Sequence, residues 1–199
     1  MCSEANTLGR VPAPRVSPCR LVGEEAMARQ LWLLRHAEAE PHGARSDADR
    51  RLTARGEAQA RTAGVALVRL DVTFDVVLFS PKARARQTAE LAAEAWSEQQ
   101  REALQEHPPL AQGFDAAQAL DALRAVPAEG RVLLVGHEPD LSLLVGELTG
   151  GRTDLKKGGL AVVRLEGVGG ELVVLMRPRE LALLAGRPLG SASLPAGGK

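Results

Sequence analysis

Three short apolar runs, each closed by polar or basic residues and followed by a segment of helical period, constrain the fold of this chain most. Leu31-Trp32-Leu33-Leu34 ends in Arg35-His36, Phe74 to Phe79 ends in Ser80-Pro81, and Arg131 to Val135 ends in Gly136-His137. An apolar run of this kind, without alternation, reads as a strand buried on both faces, as in a parallel sheet. Parallel neighbours need crossovers, and the intervening segments supply them. Thr53 is placed to cap a helix running to about Leu70, with Ala60, Ala63, Gly64, Leu67 and Leu70 at helical spacing. Pro81 opens a second helix to about Ser97, with Thr88, Leu91, Ala92 and Ala95 as its buried stripe. Asp115 to about Ala125 forms a third, and a fourth from Asp140 carries Leu141, Leu144, Val145 and Leu148 on one face. This alternation predicts an α/β fold of three layers, a mostly parallel central sheet with helices on both faces.

The remainder departs from that rhythm. Residues 98–113 are polar and leave room for a short edge strand near Pro109 to Ala111. Leu160 to Leu165 and Glu171 to Met176 are β-rich and joined through Gly167 to Gly170, which predicts a hairpin. Pro178 starts a last short helix to about Ala185. The length of 199 residues suits one domain. We expect a disordered extension over residues 1–29, a folded domain over 30–186 and a flexible tail over 187–199. Met27, just before the first strand, is an alternative start.

Composition removes several classes of function. Acidic and basic residues balance at 25 each and aromatics make up only 3%, so neither a nucleic-acid surface nor a polybasic membrane patch is expected. No run approaches the roughly 18 apolar residues that a membrane span needs. Cys2 and Cys19 both lie in the expected extension, so the fold is read as thiol-independent, in a reducing, cytoplasmic setting. A monomer is expected.

If the strands are parallel, their carboxyl ends lie along one edge, where open α/β sheets bind ligands. Arg35, His36, Arg84 and His137 would gather there beside helix amino termini. Two guanidiniums, two imidazoles and free backbone amides describe a receptor for a phosphate dianion. A zinc site is the rival, but the arginines would repel a cation and no cysteine stands near, so neither metal nor cofactor is expected. His42 and His107 read as loop histidines, and Arg86, two positions beyond Arg84, as a solvated face.

Four ordered motifs sharpen this reading. Leu34-Arg35-His36 at a strand end, Leu52-Thr53-x-x-Gly56, Ser80-Pro81-x-x-Arg84-Ala85-x-Gln87-Thr88-Ala89 and Gly136-His137-x-Pro139 together resemble the histidine phosphatase superfamily, whose fold is phosphoglycerate mutase-like. Within it, residues 30–185 look like the short bacterial phosphohistidine phosphatases of the SixA type; Ala37 stands where many relatives have glycine. The resemblance implies a metal-independent phosphatase in which His36 is the nucleophile and becomes phosphorylated, while Arg35, Arg84 and His137 hold the phosphoryl oxygens. Ester-cleaving relatives follow the second helix with Leu-x-Glu, whose acid protonates the departing alkoxide. Here the matching segment is Leu110-Ala111-Gln112-Gly113, without that acid. This favours phosphohistidine on a partner protein, because an imidazole leaves more easily than an alkoxide. Glu38, Glu40 and Asp49, on the loop after the first strand, are the carboxyls able to take the acid's place. Only about 17 residues separate Gly113 from Arg131, too few for a cap, so an open site suited to a phosphate displayed on a protein is expected. The alternatives are a small-molecule phosphomonoesterase or mutase of the same superfamily, and a module that binds phosphohistidine without hydrolysing it.

Overall fold

A computed structural model describes residues 28–167 and 169–186. The expected extension up to residue 27, with Cys2, Cys19 and Met27, and the tail from residue 187 lie outside the described residues. The first apolar run forms β1 (Gln30–Arg35), and Leu31, Leu33 and Leu34 are wholly inaccessible to solvent, as a strand covered on both faces requires. β2 (Val76–Phe79), β3 (Leu104–Glu106), β4 (Arg131–Gly136), β5 (Leu160–Glu166) and β6 (Gly169–Met176) complete a sheet of order β3-β2-β4-β1-β5-β6. The pairs β3·β2, β2·β4 and β4·β1 are parallel, and β5 runs against both β1 and β6. The sheet is therefore mixed, with β5 as its reversed strand. The hairpin from β5 to β6 needs no crossover, which lets it follow without a helix between.

Successive side chains of a strand point to opposite faces, so β1 serves two cores. Trp32 and Leu34 pack with α1 (Ala54–Arg69), α2 (Ala83–Ala93) and α6 (Pro178–Leu184). Leu31 and Leu33 pack on the other face with α4 (Ala116–Arg124) and α5 (Asp140–Thr149). Gly64 permits the crossing of α1 over α2, since a Cβ there would stand 1.9 Å from the Ala92 carbonyl oxygen. No helix among the described residues is long and apolar enough to cross a membrane.

Three local expectations are corrected. The second crossover helix begins at Ala83 and stops at Ala93, and Arg101 Nε then takes the carbonyls of Ala93 and Trp96, each at 3.1 Å, while the Trp96 ring turns into the core. Its buried stripe is accordingly Ala85, Thr88, Ala89, Ala92 and Ala93, with Ala95 exposed. The edge strand is Leu104–Glu106, preceded by a short α3 (Glu98–Glu102), whereas Pro108–Ala111 is a 3-10 turn. Two prolines lack N–H donors for a ladder and favour the φ of a helical turn.

Candidate active site

The sheet brings the separated segments to one edge. The His36 N–H donates to the Gly136 carbonyl and the Ser80 N–H to the Val135 carbonyl, both at 3.0 Å, so β1, β2 and β4 end side by side. Their exits open into a cavity of about 310 Å³ lined by Arg35, His36, Arg84 and His137, with His42, Asp47, Arg50, Lys82, Gln112 and Glu138 among its other walls. The His36 and His137 ring centroids are 5.1 Å apart, with their planes at 53°. All four residues expected at the anion site are therefore brought together.

A backbone carbonyl fixes the proton of the His36 ring. His36 Nδ1 lies 2.8 Å from the Ala37 carbonyl, which can only accept, so the proton sits on Nδ1 and Nε2 keeps its lone pair. His137 Nε2 lies 2.8 Å from Ser80 Oγ, which itself accepts the Lys82 N–H at 3.3 Å. His137 Nδ1 is buried without a partner among the described residues, so Ser80 is the group that holds this ring. Burial, first, and then the charges of Arg84 and Arg35 pull both imidazoles down to a pKa of about 3, with the neighbouring His137 adding to the effect on His36 and Lys82 to that on His137; the Ala37 carbonyl opposes the shift of His36, and Asp47 that of His137. Both rings are neutral at ordinary pH.

The guanidiniums are fixed from behind. Arg35 Nη1 donates to the Leu155 carbonyl at 2.6 Å, and the Gly158 N–H returns to the carbonyls of Arg35 and His36. Arg84 Nη1 donates to the Asp47 carbonyl at 2.5 Å and Nη2 pairs with Asp47 Oδ2 at 3.3 Å. Asp47 also receives Arg50 and, through Oδ2, Lys82 Nζ at 3.0 Å. The Lys82 hydrogen bond, followed by the charge of Arg84, holds its carboxyl well below the usual carboxylate range.

Glu38 and Glu40, expected as substitute acids, are outside the cavity walls. Glu38 accepts from Thr53 Oγ1 at 3.0 Å and pairs with Arg55, and Glu40 accepts from Arg45 and from the Arg51 N–H, so both carboxylates tie down the loop. Asp49 accepts from Ser46 Oγ at 2.5 Å on the same loop. Arg86 is exposed and paired with Glu106, as a solvated residue would be. His107 stacks edge-on against Phe114, but His42 does reach the cavity.

Residues 31–110 match the histidine phosphatase superfamily (branch 1). An uncharacterized protein of Picosynechococcus sp. is 33% identical over 147 residues, which cover 68% of this chain and 84% of that protein.

The chain belongs to the histidine phosphatase superfamily.

A solved structure of the protein histidine phosphatase SixA complexed with tungstate superposes with a TM-score of 0.67 at 28% identity, covering 76% of this chain and 99% of that one. The alpha-ribazole phosphatase from Shigella flexneri superposes with a TM-score of 0.55 at 26% identity, covering 75% and 96%. The superfamily motif residues outside the cavity wall hold the chain around it in place. Thr53 Oγ1 caps α1 by accepting the Gly56 N–H at 3.1 Å, and a Cβ on Gly56 would stand 1.9 Å from the Glu38 carbonyl oxygen. Thr88 Oγ1 accepts the Ala37 N–H at 3.1 Å, and Gln87 accepts the Leu52 N–H at 2.9 Å. These side chains position the loop that follows His36. Sequence reasoning missed Ser80, Asp47, Arg50, Lys82 and Glu138 as parts of the site. Of these only Ser80 was a specified motif residue, Lys82 and Glu138 standing at unspecified positions, and nothing in the pattern marked Ser80 as the support of His137.

Proposed function

We propose that the protein removes the phosphoryl group from phosphohistidine on a partner protein, through a covalent intermediate on His36. The observation that carries this reading is the neutral His36, its Nε2 lone pair free, in one cavity with His137, Arg35 and Arg84. Nε2 attacks phosphorus, the bond to the substrate's imidazole breaks with its electron pair leaving on that ring, and water then hydrolyses the phosphorylated His36. Arg35, Arg84 and His137 hold the phosphoryl oxygens and offset charge in the transition state, the main requirement of phosphoryl transfer. The similar SixA structure is complexed with tungstate, a phosphate-like oxyanion, which supports an anion as the ligand class.

Two features favour a protein substrate. Gln112, at the position where ester-cleaving relatives are expected to carry an acid, contributes an amide to the wall. Between Gly113 and Arg131 the chain forms α4 and nothing that could cover the cavity. The test compares kcat/KM on a phosphohistidine-bearing protein domain with kcat/KM on a set of sugar phosphates, using one preparation. We expect the protein substrate to be preferred by at least about tenfold. A preference of that size for any sugar phosphate would reverse the assignment.

A further inference from the structure

A second concavity opens beside the first. It holds about 550 Å³ between the outer face of α5 and residues 151–154, and it shares Glu138 and Pro139 with the walls of the active-site cavity. Pro139, Ser142, Leu143 and Gly146 are spaced three and four apart and so form one helical face. Leu143, 58% exposed, is the most exposed large apolar side chain among the described residues. Acids outnumber bases here, with the carboxyls of Glu138, Glu147 and Asp154 set against the guanidinium of Arg152. Two oxygens of these walls, Glu138 Oε1 and Thr153 Oγ1, are buried without a partner among the described residues. Burial raises the Glu138 carboxyl above its ordinary pKa, against the Ser142 hydrogen bond and the charge of Arg35, with Asp154 and Asp140 adding to the rise. A cation brought alongside would favour the ionised form and supply the missing donor.

We propose that this groove docks the chain flanking the phosphohistidine of the partner protein, seating an apolar side chain on Leu143 and a lysine or arginine against the carboxyls of Glu138 and Asp154. The proposal rests on the phosphohistidine reading and adds to it what the partner must display. A phosphohistidine that brings its phosphorus to His36 puts its own side chain into the cavity. Its main chain stays at the rim, where Glu138 and Pro139 lead into the groove, so neighbouring residues of the partner are carried over Leu143. From Pro139 to Glu147 the groove follows about two turns of α5, room for several such residues. Burial of one apolar anchor beside a paired charge is the pattern by which a small contact becomes selective.

Three substrates separate docking from chemistry: free phosphohistidine, a phosphohistidine peptide flanked by leucine and arginine on both sides, and the same peptide flanked by serine and glutamate. Wild type should prefer the first peptide over the second by about tenfold in kcat/KM, a gap that lies in KM and narrows as salt is raised. Leu143→Asp should remove that preference and leave kcat/KM on free phosphohistidine unchanged, with the melting temperature kept because the side chain is exposed. Equal kcat/KM on the two peptides in wild type overturns the proposal whether or not the variant folds, and so does a preference that Leu143→Asp retains. Decyl phosphate hydrolysed about tenfold faster than ethyl phosphate, with the difference lost in Leu143→Asp, gives the groove to an alkyl ester and overturns the proposal as well. Turnover of none of the three phosphohistidine substrates rejects the reading on which the proposal rests. Turnover of all three without a flank preference rejects the docking alone.

Discussion

Arg84 depends on one neighbour for its position, because both of its terminal nitrogens meet Asp47, one at the backbone carbonyl and one at the carboxylate. A lysine offers a point charge without the planar fork that can grip Asp47 and a phosphoryl group together. Arg84→Lys should therefore lower kcat/KM by about 100-fold while leaving the melting temperature nearly unchanged, as steady-state kinetics and a thermal melt will show. Ser80 acts one step further out, through His137. Ser80→Ala removes a hydrogen bond worth about 1 kcal/mol and frees the ring to rotate, so kcat/KM should fall by roughly tenfold. A circular-dichroism spectrum matching wild type would place that loss in the site and not in the fold. At this scale the four residues gathered at the cavity were legible because each closes or follows an apolar strand or opens the helix after one. Glu138 was not, because in Gly-His-x-Pro it occupies the unspecified position and only the cavity wall reveals its carboxyl. Glu38 and Glu40 misled for the opposite reason: they are near His36 in sequence, yet Thr53, Arg55, Arg45 and the Arg51 N–H draw them away.

Among the elements, the crossing of α1 and α2 is the least forgiving contact. The carbonyl of Ala92 occupies the space a Cβ on Gly64 would need, and backbone cannot move aside as a side-chain tip can. Gly64→Ala should destabilise the fold by about 3 kcal/mol or more, read as a lower urea midpoint at unchanged slope. The central strands and their crossover helices were readable in the sequence because burial on both faces demands unbroken apolar runs, and helices that cover them show a one-sided period. β3 was not readable. Its Leu104 is half-buried, Gln105 and Glu106 are exposed, and its existence rests on main-chain bonds such as the Val77 N–H to the Ala103 carbonyl at 2.9 Å. An edge strand of this kind leaves almost no side-chain signature, while the prolines that follow give a visible but misleading one.

For the molecule as a whole, two buried neutral imidazoles make stability depend on acidity. Each has a folded pKa of about 3 against 6.5 when free. Above the free value neither state takes up a proton and the rings contribute no pH dependence. As pH falls from 6.5 toward 3, the unfolded chain binds protons that the folded site refuses, so the folded state loses up to about tenfold in its equilibrium per pH unit for each ring. The urea midpoint should thus decline steadily from about pH 6 to about pH 4, and His137→Gln should roughly halve that slope. An equally steep decline in the variant would place the proton uptake elsewhere. The same neutrality is what lets His36 act as a nucleophile without prior loss of a proton, which links the fold's acid sensitivity to its proposed chemistry. Rapid quenching during turnover, followed by peptide mass spectrometry under alkaline conditions, tests that chemistry most directly. A phosphoryl group on His36 that is lost in acid and absent from His36→Ala is the predicted result, and full turnover by His36→Ala with no labelled histidine would contradict it.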